Sequence, residues 1–429
     1  MKRSHYASEV RPELSESNVS VTGWVHEIRD LGGIKFIVLR DRSGFIQITA
    51  PKQRIDSKIF EKIDELHRED LIGVEGKVRA FEKAPQGVEI IPEKIEIISR
   101  SDTQLPLDPT GKVSADIDTR LNARVMDLRR IETQAIFKIR DETLDTIRRF
   151  LRKEGFLEVN TPKIVASATE GGTELFPISY FEREAFLVQS PQLYKQMLMA
   201  TGFDKVFEIG PIFRAEEHST RRHLNEITSV DIEAAFSDYK DVMDLLKNLL
   251  IEIFKEIKKR CGDELDTLNR DLNIPKKFET LTYSEVIDIL SSHVEVHWGE
   301  DLSTPALKKL SEFYEEPYFI IDWPTQTKPF YAKQKENKEL TETFDLMLGE
   351  IELASGATRV HEVDQLIERI KSQGLNPESF KYYLDAFRYG MPPHAGWGLG
   401  LERLLMSICG LKNIREAVLF PRDRQRLIP

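Results

Sequence analysis

Apolar and polar positions alternate with period two through much of the first hundred residues. Beyond them, long stretches repeat with a period near 3.6, and the change of rhythm predicts two kinds of structure. Val19, Val21 and Val25 alternate with polar neighbours around Gly23. Gly32-Gly33 makes a turn, and Ile34, Phe36 and Val38 share one face of the next strand. Asp41-Arg42-Ser43-Gly44 turns the chain again into Phe45, Ile46 and Ile48. A more helical stretch, Ser57–Leu66, precedes strand patterns over Leu71–Val78 and Val88–Ile98. Five strands with a helix between the third and fourth predict an OB-fold β-barrel over residues 1–102. Such barrels hold single-stranded nucleic acid by aromatic stacking with basic and amide contacts. Phe36 is the candidate for stacking, with Arg29 and Gln47 reading base edges; the alternative is that Phe36 is core, like its face-mates Ile34 and Val38.

Residues 103–130 are rich in Asp, Pro, Thr and Arg without sustained periodicity, which predicts a hinge. Glu132–Glu154 then gives a long amphipathic helix with Ile136, Ile139, Leu144, Ile147, Phe150 and Leu151 on one face. Gly155 ends it, and Phe156–Val159 is a short strand before Pro162. Phe207, Ile209 and Ile212 mark a strand broken by Gly210-Pro211, and Ile227–Ile232 begins its antiparallel partner. Arg214 stands at the strand end, with Arg221, Arg222 and His223 in or just after a basic loop. Guanidinium forks bind phosphate and carboxylate bidentately, so these arginines suit a polyphosphate such as ATP; the plainer reading is a solvated charged hairpin. Val242–Lys259 reads as a strong helix, and Phe344–Leu348 with Ile351–Ala354 as a second hairpin. Gly396–Arg403 alternates glycine along a strand that opens a helix, letting backbone approach a flat nucleotide. The spacing is not that of a dinucleotide-binding turn.

Composition limits the partners. The 429 residues carry a formal net charge of -11, which excludes an undirected cationic surface and leaves nucleic-acid contacts to local basic patches. Cys261 and Cys409 lie far apart and in no metal-spaced cluster, which argues against a disulfide framework or structural zinc and fits a reducing compartment. Residues 1–20 show no signal peptide, and no apolar run approaches the ~20 residues a membrane helix needs. A cytoplasmic protein with no membrane association is expected.

Several segments resemble one family. FRAEE followed by RHLNE resembles motif 2 of class II aminoacyl-tRNA synthetases, GWGLGLER resembles motif 3, and the helix, strand and proline ending at Pro162 resemble motif 1. GWVHEIRDLGGIKFIVLRDRSGFIQI is similar to the anticodon-binding domain of aspartyl-, asparaginyl- and lysyl-tRNA synthetases. SATEGGTE (Ser167–Glu174) is similar to the aspartyl enzymes' flipping loop, and LFPRDRQRLIP to their C-terminus. The resemblance implies an α+β chain: an OB-fold barrel, then a class II antiparallel sheet flanked by helices over 131–429, with a short helical insertion at about 240–340. That insertion is too short for the extra domain of bacterial aspartyl enzymes, so the match is to the archaeal and eukaryotic type. The implied activity is ATP-dependent aspartylation of tRNA through an aspartyl-adenylate, with Mg²⁺, in a homodimer joined through motif 1.

The same resemblance assigns residues. Arg214 and Arg403 would be catalytic, and ATP would meet Arg214, Glu216, Arg222, His223, Leu224, Glu352, Gly400, Leu401, Glu402 and Arg403. Aspartate would meet Glu170, Gln192, Lys195, Arg214, Asp231, Ser355 and Arg359, and Mg²⁺ would sit at Glu352 and Ser355. Arg29, Phe36, Gln47 and Glu93 would contact the anticodon. Lys195, within QSPQLYKQ, separates the aspartyl reading from its rival, an asparaginyl enzyme, because aspartate needs a cation at its β-carboxylate. A noncatalytic RNA-binding relative is a second rival, but Arg214, Glu352 and Arg403 are all present. Relatives strict for tRNA-Asp carry a tryptophan and a lysine where this chain has His26 and Pro85, which implies charging of tRNA-Asn as well. One departure is Ile227, where many relatives place an aromatic residue under adenine.

Overall fold

The structure is a computed structural model that describes residues 2–166, 175–216 and 220–429, with Pro85 described by its backbone alone. The chain divides into two compact units, residues 1–119 and 120–429, so the boundary falls inside the stretch read as a hinge.

The first unit is a closed five-stranded barrel formed by Asn18–Asp30, Ile34–Asp41, Gly44–Pro51, Leu71–Ala80 and Val88–Ser99. A helix, Ser57–Lys62, lies between the third and fourth strands, and Asp56 caps it by accepting from the Lys58 N–H. Alternation decides which side chains fill the barrel. In the second strand Ile37 and Leu39 are buried, while Ile34, Phe36 and Val38 are only partly covered. Phe36 is therefore on the outer face, so its face-mates do not make it core.

The second unit is built on an eight-stranded sheet. From one edge to the other its strands are Glu279–Thr282, Tyr318–Ile321, Thr343–Leu348, Ile351–Thr358, His394–Gly400, Glu226–Ala235, Lys205–Phe213 and Leu157–Glu158. Pairing is antiparallel except at the two edges. Two long helices, Ile131–Lys153 and Tyr239–Arg260, pack against one another and bury their apolar stripes in the main core with Phe207, Ile232, Phe344 and Trp397. Each such fully buried aliphatic or aromatic side chain contributes on the order of 2 kcal/mol. Asp238 caps the second of these helices by accepting from the Lys240 and Asp241 amides, and the Asp241 carboxylate returns the bond. Gly155, at φ +85, ends the first. A smaller core around Tyr283, Tyr318 and Trp323 organises the 280–325 region. No helix of the described residues is long and apolar enough to cross a membrane.

Candidate active site

Four neighbouring strands converge on one cavity. Glu226–Ala235 lies between Lys205–Phe213 and His394–Gly400, with Glu208 opposite Asp231 and Asp231 opposite Gly398. On the other side of the glycine strand lies Ile351–Thr358, with Ser355 also opposite Gly398. Side chains on one face of these strands line a cavity of about 370 Å³. Of the residues proposed from sequence, Gln192, Arg214, Glu216, Arg222, His223, Leu224, Asp231, Glu352, Ser355, Arg359, Gly400, Glu402 and Arg403 all line it. Leu401 is buried beneath, Lys195 reaches it through Asp231, and Glu170 lies outside the described residues.

One end of the cavity is a buried charge cluster. Lys195 Nζ donates to Asp231 Oδ1 at 3.0 Å and to the Ile232 and Trp397 carbonyls at 3.2 Å, and it stands 3.4 Å from Glu233 Oε2. Arg359 holds Glu233 with Nε at 2.9 Å and Nη2 at 3.3 Å. Burial pushes the Glu233 carboxyl up, but Arg359 and then Lys195 outweigh it and hold it below the ordinary carboxylate range. Two cations and two carboxylates thus form a balanced quartet. Gln192 adds a buried Nε2 with no hydrogen-bond partner among the described residues, a donor left for something in the cavity. The quartet explains one glycine that the sequence assigned to nucleotide approach. A Cβ on Gly396 would stand 2.3 Å from Glu233 Oε2 and 2.2 Å from the Ile232 carbonyl.

The other end carries arginines on separate supports. Asn225 closes the hairpin loop, donating its side-chain amide to the Arg214 carbonyl at 2.7 Å while its carbonyl accepts from the Arg214 N–H at 3.0 Å. Arg222 pairs with Glu350 on the turn between the third and fourth strands, and Tyr318 pins that turn by donating to the Gly349 carbonyl at 3.1 Å. Arg403, from the first turn of helix Leu401–Cys409, donates to the Glu352 carbonyl at 3.1 Å. Glu402 is fully engaged in bracing: Arg140 donates to one oxygen at 2.9 Å and the Thr228 N–H to the other at 3.0 Å. Ile227 lines the cavity and packs against Leu224, Met406 and Ile414.

Asp345 adds an oxygen to the hard-oxygen corner of Glu352 and Ser355, and Lys328 pairs with it; neither Asp345 nor Lys328 was expected from the sequence. Asp345 faces Ser355 across the strand pair, and Lys328 Nζ reaches Asp345 Oδ2 at 2.8 Å. Burial drives the Asp345 carboxyl up; Lys328 pulls it back and the nearby Glu352 pushes it further. Its Oδ1 is buried without a well-formed hydrogen bond. Two carboxylates and a hydroxyl suit a divalent cation such as Mg²⁺, which keeps waters and substrate phosphates as its other ligands. The 240–340 region showed no pattern from which Lys328 could be recognised.

The barrel has its own candidate surface. Arg29 pairs with Phe36 in register, Phe36 with Thr49, and Gln47 Nε2 donates to Thr49 Oγ1 at 3.2 Å and to Glu89 Oε2 at 3.1 Å. The three proposed base-contacting residues therefore share one outer face. Glu93 is exposed and lines a shallow cavity of about 460 Å³ with Arg54, Lys77 and Arg79. The His26 ring lies 4.9 Å from that of Phe45, tilted 56° to it, and Gln86, in the turn opened by Pro85, donates to the Phe45 carbonyl at 3.1 Å. His26 and the residue after Pro85 thus both contact Phe45.

Comparison with known proteins points the same way. Residues 116–424 match the family described as tRNA synthetases class II (D, K and N), and residues 19–98 match the OB-fold nucleic acid binding domain. The chain is 60% identical to the aspartate–tRNA(Asp/Asn) ligase of Methanopyrus kandleri, with 100% of each chain covered. It is 57% identical to the enzyme of the same name from Archaeoglobus fulgidus, covering 99% of each. The asparaginyl-tRNA synthetase of Pyrococcus horikoshii, solved with asparaginyl-adenylate, superposes with a TM-score of 0.95 at 35% identity over the full length of both chains.

Proposed function

The chain belongs to the class II tRNA synthetases of the D, K and N group, and from that premise we propose that it attaches L-aspartate to tRNA-Asp and tRNA-Asn through an aspartyl-adenylate. The observation that carries the choice of aspartate is the quartet of Lys195, Arg359, Asp231 and Glu233 at one end of the cavity. The incoming ammonium pairs with Asp231 and releases Lys195 to the substrate β-carboxylate, beside Arg359. Asparagine brings the same ammonium with a neutral amide, so the pocket is left with an uncompensated cation. An uncompensated buried charge costs about 3–5 kcal/mol, enough to reject the amide by two orders of magnitude or more.

At the other end Arg214 and Arg403 hold the ATP α-phosphate in line with the aspartate α-carboxylate, while Arg222 and His223 take the terminal phosphates. The carboxylate oxygen attacks the α-phosphorus and pyrophosphate leaves; a hydroxyl of the terminal adenosine of tRNA then attacks the acyl carbon and AMP leaves. Fixed guanidinium groups stabilise the developing charge without reorganising. Glu352, Ser355 and Asp345 are the residues that would hold Mg²⁺, which neutralises phosphate charge when bound. Ile227 offers adenine an apolar face. The barrel reads the anticodon through Arg29, Phe36, Gln47 and Glu93, and His26 and Pro85, standing where relatives strict for tRNA-Asp carry tryptophan and lysine, support acceptance of tRNA-Asn. A homodimer fits the exposed Leu157 on the edge strand of the sheet. Light scattering on the purified chain reads the dimer directly, and a monomer at micromolar concentration would refute it.

ATP–pyrophosphate exchange with aspartate, with asparagine and with no amino acid tests the activation step. Exchange driven by aspartate alone is expected; exchange driven equally by asparagine would overturn the assignment.

A further inference from the structure

Behind Arg359, outside the cavity lining, a chain of fully buried neutral groups connects three elements. His394 Nδ1 lies 2.8 Å from the Pro392 carbonyl, which can only accept, so Nδ1 carries the proton. Its Nε2 lies 3.0 Å from Gln196 Nε2; the amide can only donate from that atom, so the ring nitrogen is bare and accepts. Gln196 Oε1 then accepts from the Tyr383 hydroxyl at 3.0 Å. The three bonds fix one another: a single tautomer, a single amide orientation and a single hydroxyl direction satisfy them all. His394, Gln196 and Tyr383 are each 0% exposed.

What the chain connects matters more than its composition. Gln196 follows Lys195 on helix Gln192–Met199. The His394 carbonyl accepts from the Arg359 N–H at 2.9 Å, and Ala395 pairs with Thr358 in the sheet. The ring of His394 therefore joins the helix carrying one cation to the backbone carrying the other. Neither His394 nor Gln196 lines the cavity.

We propose that His394 is a positioning residue for the aspartate pocket, setting Lys195 and Arg359 relative to each other through its bonds to Gln196 and to the Arg359 main chain. The proposal rests on the reading of that pocket as the aspartate site. The test compares KM for aspartate and for ATP, by pyrophosphate exchange, in the wild type, His394→Gln, His394→Asn and Gln196→Glu. Glutamine at 394 keeps an acceptor that reaches Gln196, whereas the shorter asparagine does not, and glutamate at 196 keeps the shape but removes the donor. We expect His394→Asn and Gln196→Glu to raise the aspartate KM about tenfold while the ATP KM stays within about twofold. His394→Gln should return the aspartate KM to within about threefold of the wild type. A merely structural role would move both constants together, or leave Gln and Asn indistinguishable, and either result overturns the proposal. If a His394 variant does not fold, Gln196→Glu reads the same bond from the helix side. Wild-type exchange that does not depend on aspartate would instead overturn the substrate reading itself.

Discussion

Lys195 shows what a residue means once its surroundings are known. In sequence it is a lysine one turn into a short helix, a pattern that usually places the side chain in water. In the structure it is 3% exposed and bonded to Asp231 and two carbonyls. A buried lysine with such partners is not surface decoration, because leaving it without them would cost several kcal/mol. Lys195→Leu should therefore reduce aspartate-dependent exchange at least about a hundredfold, while ATP affinity, read by calorimetry, stays within about threefold. Retained exchange would sink the pocket assignment. Arg214 and Arg222 line the cavity, where residue type and order in the hairpin put them, and Gln192, assigned by the resemblance, lines it too. Asp345, Glu233 and Lys328 were not legible in the sequence, because alternation along a strand does not say which face looks into a cavity, and their partners lie far away in sequence. Phe36 shows the same ambiguity from the other side: it shares a face with two apolar residues, and that face is the outer one.

At the scale of elements, strands and long helices were readable because burial imposes a period on them. The reason for each glycine in the glycine strand and its neighbour Ile351–Thr358 was not. Gly356 and Gly396 are demanded by neighbouring side chains and backbone: a Cβ on Gly356 would stand 2.4 Å from the Phe344 ring. Gly400 differs, since its Cβ would touch only the flexible Arg403 side chain, at 3.6 Å or beyond. Two substitutions separate these roles. Gly396→Ala should destabilise the catalytic unit by about 3 kcal/mol, seen as a clear drop in melting temperature, because backbone and Glu233 must move. Gly400→Ala should melt nearly as the wild type yet raise the ATP KM, because the new methyl stands where the nucleotide lies against the chain. Equal melting temperatures for both variants would contradict this division.

For the whole molecule, acid stability reports the buried layer behind the active site. Burial lowers the His394 pKa to about 4, against an ordinary value of 6.5. The unfolded chain therefore takes up the proton first, and stability is lost as pH falls from 6.5 towards 4, by up to about 3 kcal/mol from this group. His394→Gln should show a shallower loss over that range in urea unfolding followed by fluorescence; parallel pH profiles would show that the imidazole is not kept neutral. The choice of tRNA is proposed to lie with His26 and Pro85 in the barrel. Replacing His26 by tryptophan together with Pro85 by lysine should confine charging to tRNA-Asp; undiminished charging of tRNA-Asn would show that these positions do not govern the choice.

The most direct test of the account is charging of purified tRNA-Asp and tRNA-Asn with radiolabelled amino acid in the presence of ATP and Mg²⁺. The account predicts that aspartate is attached to both tRNAs and asparagine to neither. Attachment of asparagine, or of no amino acid to either tRNA, would contradict it.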